Sequence, residues 1–130
     1  MAFVRSTLEL IGSDPRVLML PTELALTLCC RPRLFEKDGV QKHIVLLTIV
    51  EEDLAEEEGV ARTMNWLNHN REKLECFAGA ITLEILCSLE LEDASRYLRI
   101  TAEAVELLFD LQCEVLLQYS RTFPSDGRRS

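Results

Sequence analysis

At 130 residues the chain is long enough for one domain, or for about three helical repeats, and no more. Apolar residues make up 48% and charged residues 28%, which excludes a disordered chain, and with aromatics at only 6% the core must come from Leu, Ile, Val and Ala. The net charge of −8 argues against nucleic acid and against an anionic membrane surface, while leaving a basic protein partner compatible.

From the N-terminus, Val4, Leu8 and Ile11 recur at steps of four and three, so a short amphipathic helix is expected over Phe3 to Ile11, ended by Gly12. Ser13 or Asp14 then caps a second helix with Pro15 in its first turn, where a missing N–H costs nothing. Pro21 stops the run Val17-Leu18-Met19-Leu20 and opens a third helix. Its Leu24, Leu26, Leu28, Cys29 and Cys30 make it apolar nearly all round, hence buried. Arg31-Pro32-Arg33 is a break, and Glu36-Lys37-Asp38-Gly39 a loop or turn.

Val40 to Leu54 is rich in β-branched residues and fits either a buried strand or a helix. Helix is preferred, because no second strong strand offers itself as a partner and an unpaired strand strands its backbone groups. The run also passes without a turn residue into Glu51-Glu52-Asp53-Leu54-Ala55-Glu56-Glu57-Glu58. After Gly59 a short helix is expected from Val60 to Leu67, with Val60, Met64 and Leu67 on one face, ended at Asn68-His69-Asn70. Leu74, Phe77, Ala78, Ile81, Ile85 and Leu89 then predict a longer helix from Arg71, with Gly79 inside it. A last helical stretch begins near Leu91 and restarts at a Thr101 cap, with Leu98, Val105, Leu108, Leu111, Val115 and Leu116 lining its inner face. Pro124-Ser125-Asp126-Gly127 closes the fold, giving one helical domain over 1–123 and a short polar tail over 124–130.

The fold expected is therefore all-α. The succession of short helices, with Ser13-Asp14-Pro15-Arg16-Val17 at one start, resembles armadillo and HEAT repeats over residues 3–90. That resemblance implies a right-handed helical array; a compact helical bundle is the alternative. Either would serve as a non-catalytic protein–protein interaction module or scaffold of stacked helices, or as a small bundle that sequesters an amphipathic helix of a partner.

Candidate partner-binding residues are the carboxylates Glu51, Glu52, Asp53, Glu56, Glu57 and Glu58, which repel one another and prefer solvent or a basic partner, together with Trp66, the sole tryptophan. Gly59 follows these carboxylates where a calcium loop needs a central glycine. The two histidines and five cysteines lack the paired spacing of a zinc site, and no Gly-rich phosphate loop exists, so no metal or cofactor is expected. No catalytic residues are nominated and the chain is not expected to be an enzyme, since neither His43 nor His69 sits in a context that would activate a nucleophile. No charge-free window of about 18 residues exists, and no apolar leader opens the chain. An odd cysteine count, irregularly spaced within apolar runs, reads as buried reduced thiols and an intracellular place, cytoplasmic or nuclear.

Overall fold

A mixed β-sheet with helices against one face replaces the expected helical array. The structure is a computed structural model and describes residues 2–28, 30–90 and 99–122. Its strands are β1 (Ala2–Gly12), β2 (Thr27–Leu28), β3 (Arg33–Lys37), β4 (Val40–Leu54), β5 (Ile81–Glu90) and β6 (Glu114–Thr122). They form one six-stranded sheet in the order β2-β4-β1-β5-β6, with β3 pairing β4 beside β2. All pairings are antiparallel except β5 with β6, which run parallel. The helices are α1 (Leu20–Leu24), α2 (Glu56–His69), α3 (Arg71–Glu75) and α4 (Ala102–Asp110), with a 3₁₀ turn at Pro15–Met19.

The all-α, helical-repeat expectation fails first at β1. A step of four residues is common to a helix and a strand, so Val4 and Leu8 could not distinguish them. The structure buries Val4, Ser6, Leu8 and Leu10, a period of two, and leaves Ile11 only half-buried. The same ambiguity hid β5, where Ile81, Leu83, Ile85 and Cys87 all face the core. Gly79 does not lie inside a helix: with φ of +88° it turns the chain between α3 and β5, and its N–H donates to the Leu111 carbonyl.

With β1 and β5 recognised as strands, the argument against a strand at Val40–Leu54 disappears. β4 pairs along most of its length with β1, from Gly12 opposite His43 to Ala2 opposite Leu54. A bulge between Ser6 and Thr7 inserts Ile49 as the extra residue on β4, so burial passes from Val45 and Leu47 to Val50 and Leu54. Asp38 (φ 54°) and Gly39 (φ 78°) make the two-residue turn joining β3 to β4, a type I′ pattern that matches the twist of the strands.

Other local readings survive. Asp14 caps the 3₁₀ turn, accepting from the Arg16 N–H, with Pro15 in the first turn. The same Arg16 bonds hold the Asp14 carboxyl below its usual range. Thr101 caps α4 by accepting from the Ala104 N–H at 3.2 Å. Val60, Met64 and Leu67 form the buried face of α2, as their spacing predicts, although Gly59 lies within this helix instead of before it. The expected start of the last stretch near Leu91, with Leu98, and the tail over 124–130 lie outside the described residues.

The core sits between the inner sheet face and the helices. Leu8, Leu10, Leu47, Ile81, Leu83 and Ile85 from the sheet meet Leu20, Leu67, Leu74 and Leu111, all nearly inaccessible to water. Burying such a side chain contributes about 1.5–3 kcal/mol, so these residues outweigh any single polar contact. Helix α2 lies close over β1: a β-carbon on Gly59 would stand 2.6 Å from a Val4 methyl. One turn on, Thr63 Oγ1 donates to the Gly59 carbonyl and lies 2.8 Å from Ser6 Oγ, a buried polar pair that fixes the register of helix on strand. Among the described residues the outer sheet face carries no helix and is accordingly mixed, with Arg5, Thr7, Glu9, Glu51 and Glu84 around a shallow depression.

Candidate protein-docking edge

The six acidic residues nominated from sequence do not form one patch. Strand alternation sends Glu51 and Asp53 to the outer sheet face, opposite Arg5 and Phe3 of β1, while Glu52 lies on the helix side opposite Val4. There Arg62 of α2 bridges Glu52 at 2.9 Å and Glu58 at 3.1 Å. These pairs are half exposed, where an ion pair contributes about 0–1 kcal/mol. Glu57 is exposed beside α4. Glu56 is only 5% exposed, and its Oε2 has no hydrogen-bond partner. Trp66 is half-buried and packs against the core. Its backbone carbonyl accepts from Asn70 Nδ2 at 3.0 Å, closing the end of α2.

Between α2 and α4 runs a groove, resolved as two adjoining cavities of about 340 and 260 Å³ that share Met64, Asn65, Thr101 and Ala104. Its rim is polar, with Asn68, Arg71, Glu103 and Glu106 at one end and Glu57 and Arg99 at the other. Arg71 is engaged, bridging Asp110 of α4 and Glu75. The floor residues Val60, Met64, Ala104 and Leu107 are already more than nine-tenths buried. A helix laid in this groove would therefore remove little further apolar surface from water, which is the main source of affinity in helix-in-groove recognition.

The two sheet edges differ sharply. On the β4 side the edge consists of the two-residue β2 and the five-residue β3. Strand β3 carries Arg33, Glu36 and Lys37 and follows Pro32. Short strands, charges and proline are the usual devices that stop an edge from recruiting another strand. On the opposite side β6 runs for nine residues and, among the described residues, pairs only with β5. From Val115 to Ser120 it contains no charge and no proline. Leu116, Leu117 and Tyr119 are all about half exposed. Each strand residue whose N–H and C=O do not point to β5 offers them outward.

Helix α4 forms the second wall of the groove. Ala104, Leu107 and Leu111 face the core, and Glu103, Glu106 and Leu107 line the groove toward α2. Val105 and Phe109, one turn apart, lie on the side of α4 away from the buried Leu107. They are 56% and 79% exposed, Phe109 being the most exposed large apolar side chain in the described chain. Register pairs Leu117 with Ile85 and Tyr119 with Cys87, so both lie on the helix-covered face, where they stay half exposed. Leu116, Leu117 and Tyr119 thus leave an apolar shoulder along β6, whose outer edge is unpaired among the described residues. The sequence reading had Val105 and Leu116 on the inner face of a helix; both are exposed, Leu116 on the outer face of a strand.

Among the described residues no group of three or more His, Cys, Asp or Glu is placed to hold a metal ion. Cys30 and Cys76 are exposed, whereas burial pushes the Cys113 thiol up to about 11, far from a reactive thiolate at neutral pH. No helix among the described residues is long and apolar enough to cross a membrane. Compared with known proteins, the chain matches no family model, no curated protein and no solved structure.

Proposed function

We propose that the chain is a non-catalytic protein-binding module that engages an extended polypeptide segment by strand addition to β6. The observation that supports this most is the contrast between edges: one is short and charged, the other long, uncharged from Val115 to Ser120 and lined by the half-exposed Leu116, Leu117 and Tyr119. In strand addition the main-chain hydrogen bonds give affinity and alternate side chains give selectivity, and a half-covered apolar shoulder supplies sites for the latter. Cys30, Cys76 and Cys113 are not in disulfides, which accords with an intracellular place for such a module.

The test is selection of peptides from a random display library on the immobilised chain, followed by hydrogen exchange with the best binder. Extended peptides with alternating apolar residues should be enriched, should protect β6 amides, and should lose binding to a Leu117→Lys variant. Enrichment of helical peptides that protect α2 and α4 and leave β6 untouched would instead support sequestration of an amphipathic helix in the α2–α4 groove.

A further inference from the structure

We infer that the outer face of the β3–β4 hairpin is a second docking surface, and that it takes a short extended peptide segment carrying two carboxylates around an apolar residue. This surface lies at the opposite edge of the sheet from β6, four strand spacings or about 19 Å away, and is independent of the reading of that edge. The hairpin projects from the sheet. Pairing of β1 with β4 stops at Gly12 opposite His43, so among the described residues Val40, Gln41 and Lys42 pair only with β3. On β3 every residue except Phe35 is exposed.

Strand alternation sorts the side chains of this arm by charge. Directly opposed residues share a face, and Ile44 lies two residues before Leu46 on the outer face of β4. The pairs Arg33 with Ile44, Phe35 with Lys42 and Lys37 with Val40 therefore share the outer face, while Leu34 with His43 and Glu36 with Gln41 take the other. The outer face thus gathers Arg33, Lys37 and Lys42 around Phe35 and holds no carboxylate, since Asp38 sits in the turn. Among the described residues none of the three cations pairs with a carboxylate. Protection of an edge accounts for charge on β3 but not for its single sign on one face. Like charges opposed without a counter-charge are destabilising, and an anionic segment arriving from outside relieves that repulsion.

The spacing describes the occupant. Arg33 and Lys37 stand four residues apart, about 13 Å along β3, with Phe35 midway and Lys42 across from it. An extended segment lying along β3 presents alternate side chains at the same spacing. Two carboxylates four residues apart then meet Arg33 and Lys37, while the residue between them covers Phe35. The size of the patch favours a peptide over a polynucleotide, whose affinity grows with the number of phosphates neutralised. Beyond the hairpin the outer face turns acidic, with Glu9, Glu51 and Glu84 around Arg5, which repels a long polyanion and leaves a short segment unaffected.

The test is fluorescence anisotropy of a fluorescein-labelled heptapeptide, with glutamate at its second and sixth positions and leucine at its fourth, titrated with the full chain. Saturable binding with a Kd below about 1 mM is expected at about 0.05 M salt, weakening toward about 0.3 M. Lys42→Gln should weaken it about three- to fivefold, whereas Gln41→Glu, the same change of charge on the opposite face, should stay within about twofold. Serine in place of the central leucine of the peptide should cost about threefold. Combining Arg33→Gln, Lys37→Gln and Lys42→Gln should abolish binding, and Leu117→Lys on β6 should leave it unchanged, with far-UV circular dichroism confirming that each variant is folded. Binding that survives the triple variant, or none by about 1 mM, overturns the inference and leaves the β6 edge untouched. Tighter binding of a ten-nucleotide oligothymidylate, lost in the same triple variant, overturns it too and assigns the hairpin to single-stranded nucleic acid.

Discussion

Replacing Gly59 by alanine tests the closest approach between the helical layer and the sheet. In an exposed helix this change is favourable by about 1 kcal/mol, because alanine restricts the unfolded chain and glycine does not. Here the new β-carbon would stand 2.6 Å from Val4 Cγ1 and 2.9 Å from both Val4 Cβ and Cγ2. Carbon atoms pack at about 3.5–4.0 Å, so α2 would have to rise by about 1 Å. Rotating the valine exchanges its methyls but leaves Cβ in place, and Val4 is fixed between Glu52 of β4 and Cys87 of β5. Overpacking of this kind costs about 1–3 kcal/mol. Lifting α2 also stretches the Ser6–Thr63 contact, a further ~0.5–1.5 kcal/mol. Against the ~1 kcal/mol gain, the net expectation is destabilisation by about 1–3 kcal/mol. At this length that lowers the melting temperature by about 3–10 °C. Urea denaturation followed by far-UV circular dichroism measures it, with Ala61→Gly on the exposed side of α2 as the propensity control. A Gly59→Ala variant as stable as the parent, or more so, would refute the close packing of α2 on β1.

Three smaller perturbations test other parts of the structure. Thr101→Ala removes the side-chain cap of α4 and should cost about 1 kcal/mol in the same urea titration, while Thr101→Ser should cost less. Glu56→Leu replaces a buried carboxylate with an unpartnered oxygen by an apolar group, and should raise stability by about 1 kcal/mol, less any loss of a favourable charge in the first turn of α2; a loss of stability would show that Glu56 has a partner in solution. Thiol labelling at pH 8 should modify Cys30 and Cys76 quickly and Cys113 slowly. Because the folded protein holds the Cys113 proton more tightly than the unfolded chain, the stability this group contributes is complete below pH 9. It declines as pH rises through about 11, and Cys113→Ser should flatten that decline.

Capping and turn chemistry were legible in the sequence because they are local. Asp14 with Pro15, Thr101, and the turn ending at Asp38-Gly39 each specify a backbone conformation within a few residues. The inner face of α2 was legible too, since Val60, Met64 and Leu67, at steps of four and three, are all buried on a helix; the same steps in Val4, Leu8 and Ile11 misled, because Ile11 is only half-buried on a strand. Strands were not legible where the noticed apolar residues stood four apart, as Val4 with Leu8 and Ile81 with Ile85 do. Leu10, two beyond Leu8, and Leu83, between Ile81 and Ile85, carried the discriminating period of two, and Ser6 obscured it: a polar residue at a core position reads as a helix surface unless its buried partner Thr63, 57 residues away, is known. One missed strand then removed the partner that would have identified the next, so the errors at β1, β5 and β4 have a single origin.

The proposed docking edge was invisible for a different reason. An edge is a property of strand order, and strand order depends on pairings between segments far apart in the chain. Read as part of a helix, Val105, Val115 and Leu116 appear to be core, and their apolar character needs no explanation. Placed on α4 and β6, the same residues lack a complete cover, and apolar character without cover is what marks a surface for recognition. The acidic run shows the converse. Six carboxylates within eight residues stand out in the sequence, yet the pleat of β4 and the turn into α2 send them to the outer face, to Arg62, to the rim of the groove and into the interior. Reversing Glu51 and Glu52 to lysine should therefore leave peptide capture within about twofold at physiological salt, because β4 lies three strand spacings, about 14 Å, from β6 and so beyond the screening length of about 8 Å. A loss of binding comparable to that of Leu117→Lys would move the recognition surface back to the acidic end of β4.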